Sequence, residues 1–520
     1  MIQVCSTPQG LFRNEPSFRG VQGVKIAKKT LRAAQPLPNI PVTPANSPDN
    51  HRKLGIPQGR TPNQESPASG SFPRSFQALP MRGVIESQSD LFVYPASEIG
   101  GSRDKETKVT SLLGGGQIFG KIHETLDKAK SWVMLNMYNF QSPEIYPERG
   151  CLPDTPGRAE QAALAQKLVD LQKKGVQVRV ILDNSKQPVK PPYTFEPDHN
   201  TRMLEFLRKN GISTVTYPRA HSRINHTKLL VVDNNQAVVS GMNWGNHSPA
   251  NHDGGVHIEG PDARNLFHKS FRPDWLTSGG DPKLLPPIQP FRQGKIKVLQ
   301  TAGADTVQGP KSEIQDAILD QINKAQKSIH AELFVLTNKQ VVSRLIDKHH
   351  ELTRAGQEGV KILVDPGLYF LFPNCRPGIV NLQKAGVPIR FLKTDRGREE
   401  KLHAKWAVFD RKNVLMGSAN WSGVGLEHKS TGWVEPLKAW DELADALEEA
   451  EEGPPEVARS GVKGNHEMDI LIENAPSIGG VFARQACLDF KDSSFPILQK
   501  GADGKFYPVD AEGPRRAMAM

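Results

Sequence analysis

The sequence has few cysteines and no long apolar run, and each shortage excludes a class of protein. Its four cysteines are scattered over 520 residues without a Cys-x-x-Cys pair, which excludes a disulfide framework and a zinc knuckle. No stretch of about 18 apolar residues occurs, so no membrane-spanning helix is predicted. The first 20 residues also lack the apolar core of a secretory signal. We therefore predict a cytoplasmic protein, with peripheral membrane contact left open.

The charge balance gives the first indication of a partner. Lys and Arg number 66 against 56 Asp and Glu, for a net charge of +10, while the mean hydropathy of −0.48 is typical of a soluble globular chain. An excess of positive charge favours phosphate-bearing partners, either nucleic acid or lipid headgroups. The excess is uneven, because the first 80 residues hold 10 basic and only 3 acidic residues together with 12 prolines. We predict that residues 1–85 form a disordered basic tail.

Beyond the tail, helical and strand patterns alternate and then repeat. Residues 118–130 have the apolar spacing of a helix, and residues 131–140 read as a buried strand. Residues 318–336 align with residues 122–140 without a gap and show the same switch from helix to strand. This repetition predicts an α/β protein of two duplicated lobes, each a mixed β-sheet flanked by helices. The predicted domains are a first lobe at 88–275, a linker at 276–294, a second lobe at 295–490 and a C-terminal extension at 491–520.

Each half carries the same polar residues in the same order. A His is followed by a Lys two residues later, an Asp five residues after that, then an Asn, and later a carboxylate that follows an Asn-His pair. These residues are His226, Lys228, Asp233, Asn243 and Asp253 in the first half, and His403, Lys405, Asp410, Asn420 and Glu467 in the second. A single His-x-Lys is usually structural, but chance repetition of the whole set is improbable. We therefore interpret the two sets as one composite active site.

The residue types indicate chemistry at a phosphodiester. Within a strand, His226 and Lys228 face the same way, as do His403 and Lys405, whereas Asp233 and Asp410 have the opposite parity and suit framework hydrogen bonds. Lysines Lys228 and Lys405 are suited to phosphate oxygens, and Asn243 and Asn420 add neutral donors. One imidazole can attack phosphorus while the other protonates the leaving oxygen. Carboxylates such as Asp253 and Glu467 can orient the far ring nitrogens. This chemistry requires no metal and no cofactor, and a monomer suffices.

The doubled His-x-Lys-x4-Asp motif with its trailing Asn resembles the phospholipase D superfamily of phosphodiesterases and phosphatidyltransferases. The resemblance covers roughly residues 88–490. It implies two phospholipase D-like lobes, one active site at their junction and a phosphohistidine intermediate. It also implies His226 as the nucleophile and His403 as the acid and base. The family's Gly-Ser-x-Asn segment is intact in the second half and implies a phosphate contact from Ser418, whereas the first half has Ser-Gly-Met-Asn at residues 240–243.

One segment departs from the family pattern. Residues 423–461 form an insertion ahead of Glu467, with 3 basic and 10 acidic residues. The simplest interpretation is a solvent-exposed surface loop. A more specific hypothesis is a lid that covers the basic active site. If Glu467 were not the orienting carboxylate, Glu427 would be the local substitute.

The leading functional hypothesis is a metal-independent phosphodiesterase resembling phospholipase D, which hydrolyses or transphosphatidylates phospholipids. Transfer of the cardiolipin-synthase type uses the same chemistry with a lipid alcohol. A nuclease of the same superfamily, acting on DNA or RNA, is the alternative. A phosphate-binding scaffold without catalysis is a third hypothesis, which the two intact His-Lys pairs disfavour.

Overall fold

Two mixed β-sheets, one in each half of the chain, organise the protein. The computed structural model describes residues 91–94, 107–141, 156–183, 188–190, 194–195, 199–218, 221–222, 224–245, 248–289, 294, 296–304, 306–371, 373–394, 400–430, 462–500 and 506–508. The predicted basic tail at 1–85 and most of the acidic insertion, residues 431–461, lie outside the described residues.

The first sheet has eight strands in the order β1-β2-β10-β9-β8-β3-β4-β7, and β5 and β6 form a separate small hairpin. The strands are β1 (Leu91–Tyr94), β2 (Thr107–Leu113), β3 (Trp132–Met137), β4 (Gln177–Asp183), β5 (Pro188–Lys190), β6 (Thr194–Phe195), β7 (Ser213–Tyr217), β8 (Lys228–Val232), β9 (Gln236–Ser240) and β10 (Gly254–Glu259). Strands β3, β4 and β7 are parallel to one another, and the remaining pairs of the sheet are antiparallel.

The second sheet has nine strands in the order β12-β11-β20-β17-β16-β13-β14-β15-β21, beside the small hairpins β18–β19 and β22–β23. The strands are β11 (Ile296–Ala302), β12 (Lys311–Ser312), β13 (Ser328–Leu333), β14 (Gly359–Val364), β15 (Ile389–Leu392), β16 (Lys405–Phe409), β17 (Asn413–Gly417), β18 (Lys429–Ser430), β19 (Val462–Lys463), β20 (Glu467–Ile472), β21 (Ser494–Pro496), β22 (Leu498–Lys500) and β23 (Phe506–Pro508). Seven strands, from β11 to β15, repeat the order of β2 to β7 in the first sheet. The predicted α/β fold of two duplicated lobes is confirmed.

Helices cover the sheets and follow the same duplication. They are α1 (Gly114–Asp127), α2 (Pro156–Lys173), α3 (His199–Lys209), α4 (Pro261–Leu266), α5 (Arg272–Thr277), α6 (Glu313–Lys324), α7 (Lys339–Arg354), α8 (Pro366–Leu371), α9 (Arg376–Lys384), α10 (Gly423–Leu426) and α11 (Pro476–Asp492). Helix α1 begins four residues earlier than the predicted helix. Its second residue is Gly115, where a Cβ atom would lie 2.5 Å from the Pro249 carbonyl oxygen, so this close approach requires glycine.

The two lobes share one hydrophobic core. Along β8, Leu229 and Val231 point into a cluster that also contains Trp406 and Val408 of β16, while Leu230 and Val232 face the helices of their own lobe. This division follows from the two-residue period of a strand. Helices α5 and α11 follow the last central strand of each lobe and contribute Trp275 and Phe482 to the shared cluster. Both faces of each central strand are therefore buried, as their apolar sequences predict.

Two segments outside the predicted lobes pack against them. In the predicted C-terminal extension, β21 pairs with β15, and Arg390 donates a hydrogen bond to the Ser494 hydroxyl. The linker also packs against the lobes, since Leu285 is buried in the shared core. Among the helices that the structure describes, none is long and apolar enough to cross a membrane.

Candidate active site

The two His-Lys pairs occupy equivalent places in the two sheets. Lys228 is the first residue of β8 and pairs with Met137 of β3, and Lys405 is the first residue of β16 and pairs with Leu333 of β13. Each histidine stands two residues before its lysine. The four side chains are buried, with exposed fractions of 2–4%. The structure therefore places both pairs at the same end of equivalent central strands.

A short segment of each lobe extends to the other lobe and pairs there with the backbone of that lobe's site histidine. We call residues 251–253 the first arm and residues 465–467 the second arm. The backbone N–H of His226 donates to the His466 carbonyl at 2.7 Å, and the N–H of His466 donates to the Ile224 carbonyl at 2.7 Å. The first arm repeats this exchange, because the N–H of His403 donates to the His252 carbonyl at 2.8 Å. The arms thus join the two half-sites by backbone pairing.

The arms deliver one carboxylate to each histidine of the opposite lobe. His226 Nδ1 lies 2.9 Å from Glu467 Oε2, and His403 Nδ1 lies 2.9 Å from Asp253 Oδ2. Both carboxylates are buried. A carboxylate on Nδ1 fixes the ring orientation and the tautomer that leaves Nε2 with a lone pair. The sequence had predicted these two carboxylates, but it did not reveal that each acts across the lobe boundary. Glu427, the predicted substitute, instead accepts a hydrogen bond from Asn338.

The two lysines lie against their histidines. Lys228 Nζ donates to the His226 carbonyl and Lys405 Nζ to the His403 carbonyl, both at 2.6 Å. Lys405 Nζ is also 3.1 Å from His403 Nε2. The ammonium groups stack over Tyr138 and Phe334, at 5.0 and 5.1 Å from the ring centroids. The duplication therefore extends to the aromatic ring beside each lysine.

Glycine allows the two half-sites to approach closely. A Cβ atom on Gly241 would lie 2.7 Å from Asp253 Oδ1, 3.3 Å from the Gly417 carbonyl oxygen and 3.4 Å from Lys405 Cδ. The end of β9 in the first lobe therefore lies against both Lys405 and the end of β17 in the second lobe. A larger residue at position 241 would separate groups that belong to one centre.

Burial and the lysines set the protonation of this centre. Burial raises the pKa of both Asp253 and Glu467 to about 7, although Lys405 and Lys228 act in the opposite direction. Burial also holds the pKa of His403 well below its usual range, and Lys405 and Lys228 lower it further. His403 is therefore a neutral imidazole at neutral pH, with Nε2 able to accept a proton or attack an electrophile.

The remaining predicted site residues divide into three groups. Asn243 and Asn420 follow β9 and β17 and are half-buried, and neither Oδ1 atom has a hydrogen-bond partner among the described residues. The Ser418 hydroxyl is hydrogen-bonded on both sides within the protein. It is fully buried, donates to Glu467 Oε2 at 2.6 Å and accepts from the Met468 N–H. Its only proton is therefore held by Glu467, and the phosphate contact that the resemblance implies for Ser418 stays a prediction.

Asp233 and Asp410 stand away from the histidines, in the hairpin turns after β8 and β16. Asp233 accepts hydrogen bonds from the N–H groups of residues 130–132, and Asp410 from those of residues 326–328. Both residues and the residue after each have positive φ angles of 52–58°, as the tight turns of such hairpins require. Trp244 and Trp421, which accompany Asn243 and Asn420, are buried in the core of their lobes.

Sequence reasoning missed the two histidines in the middle of the arms. His466 Nε2 lies 2.9 Å from Asp274 Oδ1, and its ring stacks on Tyr217 with centroids 4.7 Å apart. His252 Nε2 donates a hydrogen bond to Glu332 Oε2 at 2.7 Å. The Asn-His-acid triplet that both halves contain could have pointed to these two histidines, because the His repeats together with the acid.

Comparison with known proteins identifies the family. The family model described as cardiolipin synthase, PLD-like domain, matches residues 122–275 and 318–432, which together are about half of the chain. The chain belongs to the phospholipase D-like family. One matched segment lies in each lobe, and each segment contains one His-Lys pair. The fold is thus that of the superfamily of phosphodiesterases and phosphatidyltransferases. No curated protein matches the sequence.

The solved structures that are similar to this one include the following three. Phosphatidylserine synthase of Haemophilus influenzae Rd KW20 is 12% identical, with a TM-score of 0.49 over 78% of this chain and 88% of that one. Nuc, a phospholipase D family member from Salmonella typhimurium, is 16% identical, with a TM-score of 0.25 over 41% and 97%. Polyphosphate kinase of Porphyromonas gingivalis is 12% identical, with a TM-score of 0.42 over 78% and 54%. Membership of the phospholipase D-like family rests on the family match.

Proposed function

We propose that the protein is a phosphodiesterase or phosphatidyltransferase that acts on phospholipids through a covalent phosphohistidine. The observation that carries this proposal is the reciprocal pairing of His226 with Glu467 and of His403 with Asp253, beside two buried lysines. Two oriented imidazoles at one centre suit a double displacement, in which one ring is the nucleophile and the other moves the proton.

The chemistry uses the Nε2 atom of each ring, because a carboxylate already holds each Nδ1 atom. In the first step, Nε2 of His226 attacks phosphorus, the bond to the leaving alcohol breaks, and His403 gives that oxygen its proton. In the second step, His403 takes a proton from water or an acceptor alcohol, whose oxygen attacks phosphorus as the bond to His226 breaks. The charge of the bound phosphodiester offsets Lys228 and Lys405, two of the groups that lower the pKa of His403, and so favours its protonated form.

The lysines supply the cationic charge that the transition state requires. Lys228 and Lys405 stand next to the histidines, where they can meet the non-bridging phosphate oxygens, and Asn243 and Asn420 are placed as additional donors. A metal-independent reaction is therefore proposed. The family description supports a lipid substrate, since it names cardiolipin synthase. Transfer to a lipid alcohol and hydrolysis use the same intermediate and differ only in the acceptor.

One assay series tests the proposal. Purified protein is incubated with phosphatidylcholine or phosphatidylglycerol vesicles, with and without a primary alcohol, and in parallel with EDTA. We expect EDTA-resistant release of the headgroup or formation of a new phospholipid, and loss of activity by at least about 10³-fold in His226→Ala and His403→Ala. His350→Gln, a change on helix α7, is the matched histidine control.

The same series contains the outcomes that contradict the proposal. Activity that disappears with EDTA would contradict the metal-independent reaction. Cleavage of single- or double-stranded DNA or RNA with no action on vesicles would establish the nuclease alternative. Equal activity in His403→Ala and wild type would remove the active site from this position.

A further inference from the structure

A buried cluster of two carboxylates and one imidazole lies behind His403. It consists of His252 from the first arm, Glu332 of β13 and Asp489 of α11, and we call it the His252 cluster. His252 Nε2 is 2.7 Å from Glu332 Oε2 and 3.4 Å from Asp489 Oδ2. None of the three side chains is more than 4% exposed. The cluster connects the lobes, because its imidazole belongs to the first lobe and its two acids to the second.

The equivalent place in the first lobe is built differently. There His466 of the second arm faces Asp274, and the counterpart of Glu332 is Asn136, which occupies the same position in the 122–140 and 318–336 repeat. The Asn136 amide donates to Asp274 at 2.8 Å and accepts from the Asn225 amide at 2.7 Å. The first lobe thus holds its arm histidine with one carboxylate, whereas the second lobe uses two.

The second carboxylate changes the charge of the arm histidine. Burial alone would lower the pKa of His252, but Glu332 and Asp489 overcome it and raise the pKa to about 9, with Glu400 acting in the same direction. Burial raises the pKa of Asp489 to about 7, and Gln485 donates to its carboxylate. At neutral pH the cluster therefore holds an imidazolium beside Asp489, a carboxyl group that is partly protonated, which limits the net buried charge.

His252 is also joined to the reacting groups by the backbone. Its carbonyl accepts the N–H of His403 at 2.8 Å, and its own N–H donates to the Lys401 carbonyl at 2.8 Å. The next residue is Asp253, whose carboxylate holds His403 Nδ1. Any displacement of the His252 ring would therefore move both the carboxylate and the backbone that fix His403.

We propose that His252 is a positioning residue: clamped between Glu332 and Asp489, it holds the first arm and thereby the Asp253–His403 pair. Glu332 and Asp489 keep His252 charged below about pH 9, so the clamp is intact there and is lost above it. The kinetic consequence rests on the proposed function, whereas the protonation of His252 does not.

The test replaces Glu332 by the type of residue that the first lobe already uses. Glu332→Gln retains the volume and removes one anion, so His252 loses its proton at a lower pH. We expect kcat to fall about 10- to 100-fold with KM changed less than about twofold, as for other groups that orient a reacting side chain. The alkaline limb of the kcat profile should move to lower pH. Asp489→Asn is the second variant and should act in the same direction.

Glu358→Gln is the matched control, because Glu358 also faces a buried histidine of the second lobe, with Oε1 3.4 Å from His330 Nε2, but touches neither arm. We expect the kcat of Glu358→Gln, and the pH at which its kcat falls on the alkaline side, to equal those of wild type. A Glu332→Gln enzyme with unchanged kcat and an unchanged alkaline limb would overturn the proposal.

Nitrogen-15 NMR of histidine-labelled protein gives a readout that does not depend on turnover. The His252 signal, assigned by its loss in His252→Gln, should remain that of an imidazolium up to about pH 9 in wild type and titrate earlier in Glu332→Gln. Titration near pH 6.5 in wild type, or one tightly bound divalent metal per chain that Glu332→Gln abolishes, would overturn the proposal. Absence of activity on every phosphodiester would defeat the proposed function but leave this titration to be judged by itself.

Discussion

The two histidine-carboxylate pairs share one plan but differ in what holds the carboxylate. Glu467 receives hydrogen bonds from the Ser418 hydroxyl at 2.6 Å and the Asn465 amide at 3.1 Å, in addition to its contact with His226. Asp253 receives the Gly254 N–H at 2.8 Å and lies against Gly241, which has no side chain to donate. Duplication thus accounts for the common geometry, and divergence around the carboxylates offers a reason for different roles of the two histidines.

The largest expected effects come from breaking each pair. Asp253→Asn and Glu467→Gln retain the shape of the side chain but cannot support an imidazolium, so we expect each to lower kcat by about 10²–10⁴-fold. Steady-state kinetics on phospholipid vesicles measures this, with Glu473→Gln as a control that removes only an ion pair to Lys297. A large fall in kcat in one variant and no fall in the other would contradict the idea that the two carboxylates do the same work.

Lys405→Met should show separately the two effects of this lysine: it stabilises the charge of the phosphate, and it lowers the pKa of His403. We expect kcat/KM to fall by about 10²–10³-fold, because a cation beside the phosphate is lost. Lys405 lowers the pKa of His403, so its removal should raise that pKa and move any limb of the profile that depends on neutral His403 to higher pH. Lys228→Met should lower the rate similarly with a smaller shift. A shift to lower pH in Lys405→Met would contradict this assignment.

Ser418→Ala tests the asymmetry between the two carboxylates. The variant loses one hydrogen bond to Glu467, worth about 1.5–3 kcal/mol for a charged acceptor, and we expect about a 10-fold fall in kcat. Ser422→Ala is the control, because the Ser422 hydroxyl accepts the Gly425 N–H at the start of α10 and does not reach the site. Equal activity of Ser418→Ala and wild type would show that Glu467 needs no such support.

The smallest effects on activity are expected at Asp233 and Asp410. Each carboxylate accepts three backbone N–H groups across its lobe, so Asp233→Ala and Asp410→Ala should each lower the free energy of unfolding by about 1–3 kcal/mol. Thermal or urea unfolding measures this, and kcat per folded molecule should remain that of wild type. A loss of kcat without a loss of stability would place these aspartates in the chemistry.

Local patterns in the sequence were sufficient for the fold, because strand period, helix period and the gap-free repeat are each properties of short segments. They were also sufficient to select His226, Lys228, His403 and Lys405, since these residues repeat at fixed spacing. The reciprocal exchange of the arms could not be predicted, because it depends on how the two lobes pack. The contact of Ser418 with Glu467 could not be predicted either, because it joins positions 49 residues apart.

The most direct test of the account is to trap the covalent intermediate. Wild type and variants are mixed with a phosphodiester that releases p-nitrophenol, quenched within the first turnover and analysed by mass spectrometry of peptides under conditions that preserve phosphohistidine. The account predicts an adduct on His226 that is absent from His226→Ala and accumulates in His403→Ala, since this leaving group needs no acid but release of the adduct needs a base. Turnover without an adduct on any histidine, or an adduct that persists unchanged in His226→Ala, would contradict it.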